Sequence, residues 1–336
     1  MQNHGAGSGP YRLVSFQPEQ QFTVERYPYY HLGWGSRHVE RAVFRVLREE
    51  VARRIALVNG DADWIYLSSA DTAEALADEP GVRVNRDPTL NQLYIAFNTG
   101  SEHLRDARVR RALALAYDYQ GHIEHLMRGN AEPPYGVLPA RAECASPDSP
   151  RPRTDFDEAR RLLASAGIRP GDVELTMAFE GTTGETPIFE IMRAGAARLG
   201  IQLTAVDIEW DAKVENYSRP ETSTDMGTEW IFAPGPEAHH YLYLLAHSSQ
   251  AGDGGNNFAW YHSAAMDKLL DAAAAELDAE RRCALYREVE ALWLEEMPFA
   301  AVVTMVGLSA QRNDLHGSAV SPGHPLTQNL YPMWKQ

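Results

Sequence analysis

Apolar and polar positions along this chain switch between the strand period and the helix period, and the switches mark its elements. Residues 93–97, LYIAF, form a continuous apolar run ended by Asn98, Thr99 and Gly100, which predicts a buried strand stopped by turn residues. Beyond the turn, Val109, Ala112, Leu113 and Ala116 recur at i, i+3, i+4 and i+7. That is the stripe of an amphipathic helix, and Asp106 stands where its N-cap belongs. This βα unit separates a stretch of short strands and helices from one of longer, Ala- and Leu-rich helices. Upstream, strands are predicted at 11–16, 21–24, 41–46, 63–67 and 82–85. Helices are predicted over 49–58, ended by Gly60 as a left-handed cap, and after Ser69 and Asp71. Residues 1–9 read as a polar, Gly-rich, mobile end.

Downstream, residues 129–153 hold six prolines among small polar residues, which predicts a long irregular connection over a surface. Asp155 caps a helix lined by Ala159, Leu162, Leu163 and Ala166. A strand at 173–179, a helix over 187–199 and a strand at 201–210 make a βαβ unit, with parallel strands and a right-handed crossover. Thr186 is the expected N-cap of that helix, with Pro187 at its first position. Gly195 falls on its buried face, where it would admit a close neighbour. A strand at 226–232 follows, then a short helix over 239–245 and two helices lined by Met266, Leu270 and Ala273 and by Cys283, Tyr286, Val289 and Trp293. Residues 299–308 read as a long strand carrying the chain back, and 311–336 as loops.

The length of 336 residues suits two α/β domains, and 44% hydrophobic residues can bury a sizeable core. A formal net charge of -15 argues against a nucleic-acid partner, which needs a Lys/Arg surface. No run of 18 apolar residues exists, so no membrane span is read, and the start, MQNHGAGSGPYRL, has no apolar h-region of a signal peptide. Cys144 and Cys283 have no partner at metal-ligand spacing. Cys283 is expected to act as a small buried hydrophobe, and a disulfide to Cys144 stays open.

No HExxH, GxxxxGK[ST], GxSxG or strand-following GxGxxG occurs. No nucleophile, cofactor or metal is therefore expected. His239 and His240 are adjacent, which suits neither one helix face nor one strand face. Aromatic residues do gather at loop and strand ends: Trp34, Trp210, Trp230, Trp260, Tyr241 and Tyr261. Large aromatics are ordinary core residues, but beside Gly, Pro and Asn breaks they also line clefts.

Several segments together resemble family 5 extracellular solute-binding proteins of ABC transporters, the oligopeptide, dipeptide and nickel-binding group. They are GSGPYRL at 7–13, ERYPYYHLG at 25–33, IALVNGDADWIYL at 55–67, LYIAFNT at 93–99, DARVRRALALAYD at 106–118 and DEARRLLASAG at 157–167. YHSAAMDKLLDAA and YREVEALWLEEMPFAAV, at 261–273 and 286–302, follow in order. The resemblance implies a type II periplasmic-binding-protein fold of two α/β lobes joined by crossing strands at 93–97 and 304–309. Residues 1–97 and 306–336 would be the remaining part of lobe one, and 98–305 lobe two. Family members are longer and begin with a signal peptide, so the resemblance also implies that an N-terminal part of lobe one is lacking.

By the same resemblance the chain is no enzyme. It would bind a small or peptide-like solute between its lobes, as a monomer, and deliver it to an ABC permease, in the periplasm or at the cell surface. Trp210, Trp230, Phe232 and Trp260 would wall the site in lobe two, Asn91 and Tyr94 would lie at the hinge, and Asn256 would offer amide hydrogen bonds. In peptide-binding members a Trp-x-x-Asp segment sets an aspartate against the ligand's ammonium group. Here Trp230 is followed by Ile231, Phe232 and Ala233, so that carboxylate is missing, and Glu229 and Glu237 are the alternatives. Ala233, Pro234, His239 and His240 echo the nickel-binding members. The rival readings are a ligand-sensing domain of a regulator and an α/β hydrolase.

Overall fold

A computed structural model describes residues 7–181, 184–252, 254–318 and 320–336. Residues 1–6 of the expected polar end lie outside the described residues. The chain divides into two compact units: Met1–Pro88 with Val306–Gln336, here unit 1, and Thr89–Met305, here unit 2.

Unit 1 opens with an antiparallel three-stranded sheet, β1 (Tyr11–Gln17), β2 (Gln21–Arg26) and β3 (Arg41–Arg45), in the order β1-β2-β3. Leu13, Val14, Phe16 and Val43 on it are about half-exposed. Helix α1 (Glu50–Asn59) ends at Gly60, whose φ of 81° permits the left-handed cap with hydrogen bonds back to Ala56 and Leu57. Strand β4 (Trp64–Tyr66) and helix α2 (Ala70–Ala77), capped by the Ser69 side chain, follow. Leu57, Ile65, Leu67, Ala73 and Leu76 make a small core with Leu308 and Ala310.

Strand β5 runs without a break from Val82 to Phe97. Pro88 interrupts the apolar pattern and so predicts two separate strands, yet the chain stays extended through the proline, whose fixed φ is compatible with a strand. The helix after it, α3 (Ala107–Ala116), takes its cap from Asp106 as its spacing predicts. A single turn, α4 (Tyr119–Gly121), passes into a π-helical turn over His122–Leu126. Strand β6 (Ala131–Glu132) is the one regular piece of the proline-rich connection among the described residues. Helix α5 (Phe156–Ser165) is capped by Asp155.

The βαβ unit forms from β7 (Glu174–Phe179), α6 (Thr186–Arg198) and β8 (Gln202–Asp207), with β7 and β8 parallel in register from Glu174↔Gln202 to Phe179↔Asp207. Gly195 lets α6 approach α3: a Cβ there would stand 2.1 Å from the Ala116 carbonyl oxygen. Two details depart from expectation. Thr186 is the first residue of α6 rather than its cap, and Glu185 stands at the cap without a capping bond. Trp210 does not end a strand but begins a helix, α7 (Trp210–Asn216).

Strand β9 (Met226–Phe232) lies parallel to β7 and antiparallel to β5. Helices α8 (His239–Ala246), α9 (Ala264–Ala275) and α10 (Ala279–Glu296) precede β10 (Phe299–Arg312). Within unit 2 the strand order is β10-β5-β9-β7-β8, with β6 also paired to β10. The rest of the chain forms β11 (Leu315–His316), β12 (Val320–Ser321), β13 (His324–Gln328) and β14 (Trp334–Lys335), paired as β11-β14 and β12-β13. Short strand pairs therefore organise a tail whose composition predicts only loops.

The alternation of β5 builds the core of unit 2 on both faces of this sheet. Leu93, Ile95 and Phe97 join α3, α5 and α6 in one cluster. Tyr94 and Ala96 join α8, α9 and α10 in the other. Burial of each large side chain there is worth about 1.5–3 kcal/mol. A buried guanidinium locks the end of α10: Arg110 donates to the carbonyls of Glu296 and Met297 and, from its other end, to those of Leu104 and Arg105. Cys144 and Cys283 are joined in a disulfide that ties the proline-rich connection to α10. Cys283 is thus not the free buried hydrophobe that its helical spacing predicts.

Candidate functional site

Parallel strands leave their carboxyl ends on one edge of a sheet, and helix N-termini open at that same edge. In unit 2 the edge is set by Phe179 of β7, Asp207 of β8 and Phe232 of β9, with α6 and α7 starting beside it. Gly181 N–H donates to the Asp207 carboxylate at 2.8 Å, closing the turn after β7.

Two large apolar side chains stand open at this edge. Phe232 is 53% exposed and Trp210 47%. Trp230, two residues back on the same strand face, is half-buried and its ring lies 6.5 Å from that of Phe232. Directly across the ladder from Phe232 is Asn91, completely buried, with no partner for its amide oxygen or nitrogen. A buried amide without partners is expensive unless something else satisfies it. An orphan amide opposite an exposed ring is an arrangement suited to a solute with an apolar body and a polar backbone.

Beneath the shelf lies a buried charged cluster that spacing along the chain does not assemble. The Glu185 carboxylate accepts from the Glu180 N–H at 2.8 Å and from the Thr228 hydroxyl at 2.5 Å. The Lys213 ammonium donates to the same hydroxyl at 3.1 Å and stands 4.0 Å from Glu185. Glu229 is nearby, fully buried, with one carboxylate oxygen unpartnered. Burial raises its pKa, Lys213 opposes and Glu185 adds to the rise, and the result is about 8. At neutral pH Glu229 therefore holds its proton. Lys213 gives no apolar-period signal, so spacing could not have found it. Glu229 is visible in the sequence only as a charge inside an apolar strand.

The remaining expected site residues fall elsewhere. Tyr94 is fully buried among Trp293 and Phe299, and its hydroxyl donates to the Val137 carbonyl at 2.7 Å. It is a core residue. Trp260 and Asn256 lie toward the opposite edge: Thr99, just past the end of β5, donates to the carbonyls of Ala259 and Trp260. The Trp260 indole donates to Ser223, which precedes β9. Because β5 runs antiparallel to β9, that edge is the amino end of β9, a strand's length from Phe232. Structure thus pairs Asn91 with Phe232, sets Trp230 beside that ring, places Trp210 at the start of α7 after β8, and sets Asn256 and Trp260 apart. Tyr241 and Tyr261 are core residues. His239 stacks on Tyr243, and His240 lies 3.4 Å from Glu237. Among the described residues the one cluster with metal-ligand spacing contains Cys144 and Cys283, whose sulfurs are already bonded to each other.

Parallel β7, β8 and β9, with antiparallel β5 beside them and helices packed on both faces, put unit 2 in the α/β class. Comparison with known proteins narrows this. The family model of bacterial extracellular solute-binding proteins, family 5 Middle, matches residues 2–253. Protein XP55 of Streptomyces lividans is 26% identical over 297 residues, covering 84% of this chain and 53% of its own length. The probable ABC transporter periplasmic-binding protein SapA of Escherichia coli (strain K12) is 26% identical over 325 residues, covering 94% and 57%. Among solved structures, the periplasmic binding protein DppA from Helicobacter pylori, in complex with the peptide STSA, superposes with a TM-score of 0.83 at 19% identity. It covers 98% of this chain and 63% of that one.

The chain belongs to the family 5 bacterial extracellular solute-binding proteins. Its fold is that of the type II periplasmic binding proteins, and its relatives are binding proteins of ABC transporters rather than enzymes. It spans little more than half the length of the two relatives named. No helix among the described residues is long and apolar enough to cross a membrane.

Proposed function

We propose that this chain supplies the solute-binding part of an ABC-type importer, taking up a small, peptide-like solute outside the cytoplasm and handing it to membrane permease subunits. The observation that carries this reading is the match of the family model over residues 2–253. A disulfide between Cys144 and Cys283 is in keeping with an oxidising compartment. Residues 1–97 with 306–336 are carried as lobe one and 98–305 as lobe two. The solute-contacting residues in this reading are Asn91, Trp210, Trp230 and Phe232.

The solute is not gripped by a free amine. Ala233 stands where a carboxylate would serve, and neither alternative supplies one. Glu229 is buried and protonated at neutral pH, while Glu237 is directed to His240. An ammonium group without a counter-charge is costly to desolvate. Calorimetry with di- and oligopeptides, each free and N-acetylated, tests this. Comparable affinities for the two forms are expected. Micromolar binding of the free peptide that vanishes on acetylation would overturn the ligand class. No binding of either form, with other solutes bound, would overturn the peptide-like reading.

A further inference from the structure

A cavity of about 240 Å³ lies within unit 2 between α3, the proline-rich connection and the end of α10. None of the shelf residues lines it, so a ligand held there is independent of the importer reading. Its floor is apolar, with Leu115, Val137, Leu294, Met297 and Phe299. Its rim carries three guanidinium groups, those of Arg111, Arg151 and Arg153.

Their charges are not balanced by neighbours. Arg153 is paired at 2.6 Å with both Asp155 and Glu158. Arg111 reaches Glu158 only at 4.0 Å. Arg151 has no ion pair among the described residues. Its guanidinium lies over the Tyr135 ring, 3.7 Å from the centroid, and donates only weakly, at 3.4 Å each, to the Pro133 and Pro134 carbonyls. Two ion-paired carboxylates thus stand against the three cations of the rim, in a chain whose net charge is -15. A guanidinium stacked on an aromatic face keeps its edge donors free, and that fork matches a carboxylate with two hydrogen bonds.

The cavity walls are also fixed in place. Pro150 and Pro152 flank Arg151, the Cys144–Cys283 disulfide fastens the connection to α10, and Arg110 holds the far end of α10 through the Glu296 and Met297 carbonyls. Little ordering remains to oppose binding. We propose that this cavity binds a small apolar monocarboxylate, with the carboxylate on Arg151 beside Arg111 and the apolar body on Met297 and Phe299. The volume suits a single ring or a short branched chain rather than a peptide.

Benzoate is the probe, titrated into the full, oxidised chain by calorimetry and followed by saturation-transfer NMR. Saturable binding is expected, with benzyl alcohol, acetate and inorganic phosphate each weaker. Arg151→Gln should weaken benzoate by about tenfold or more, the loss of a charge-assisted pair. Leu294→Trp, which fills the cavity from its apolar floor, should abolish binding by an independent route. Thermal midpoints of both variants report whether the fold is intact. Benzoate binding that is undiminished in folded Arg151→Gln, or that persists in folded Leu294→Trp, overturns the proposal, as does phosphate or acetate binding equal to benzoate, the mark of an adventitious anion only. Absence of saturable benzoate binding overturns it as well.

Discussion

Cutting the Cys144–Cys283 disulfide is the perturbation whose size follows most directly from the structure. The two cysteines are 139 residues apart in sequence. In the chain-entropy treatment a closed loop of that length removes about 5 kcal/mol of unfolded-state freedom at room temperature. Native contacts around the bond are otherwise well made. The Arg282 guanidinium pairs with Glu143, next to Cys144, and the Glu143 N–H donates to the Pro236 carbonyl at 2.5 Å. The folded state should therefore persist without the bond, and the loss should come from the unfolded side. Guanidinium denaturation of the oxidised chain is compared with the reduced, alkylated chain and with the Cys144→Ser/Cys283→Ser double variant. With a guanidinium slope of about 5 kcal/mol per molar, the midpoint should fall by about 1 M in both. A shift under about 0.2 M in both would refute the reasoning. It would mean that the connection is already constrained in the unfolded chain, or that the bond is absent from the protein in solution.

Three further outcomes are expected. Arg110→Ala should lower stability by about 3–5 kcal/mol, because it leaves buried carbonyls at the end of α10 without donors, and Arg110→Lys should not restore it, since one ammonium cannot span both carbonyl groups. Gly195→Ala should cost about 2 kcal/mol or more, as the added Cβ meets the Ala116 carbonyl oxygen at 2.1 Å and one helix must shift; thermal melts read both effects. Stability should also depend on pH through Glu229, whose folded pKa of about 8 exceeds its ordinary 4.5. Between those values the folded chain holds a proton that the unfolded chain has lost, so this contribution is complete below pH 4.5 and disappears as pH rises through 8. Over that window the loss is on the order of 5 kcal/mol, and Glu229→Gln should flatten the denaturation midpoint against pH.

Much of unit 2 is legible because its elements carry a regular apolar stripe between clear breaks. The Asp106 and Asp155 caps, the βαβ unit and the close approach at Gly195 all follow from local spacing and have the form expected. Helix α7 escapes such a reading for a physical reason: its one fully buried residue is Lys213, so it presents no apolar stripe. The separation of Trp260 and Asn256 from Phe232 is hidden too. Which edge of a sheet a loop reaches depends on strand order, and the antiparallel pairing of β5 with β9 is a non-local fact. The same holds for Asn91. Its sequence neighbours give an ordinary strand, and only the ladder places its unpartnered amide opposite the exposed Phe232 ring.

The central claim is that solute sits on the carboxyl edge of the unit 2 sheet. Hydrogen exchange of the whole chain, with and without a peptide shown by calorimetry to bind, tests it most directly. Exchange should slow on binding at residues 208–213 and 229–233, where Trp210, Trp230 and Phe232 lie, and stay unchanged over 264–293, which carries α9 and most of α10. Protection confined to 256–261, around Asn256 and Trp260, or a bound peptide that leaves 229–233 unprotected, would contradict the account.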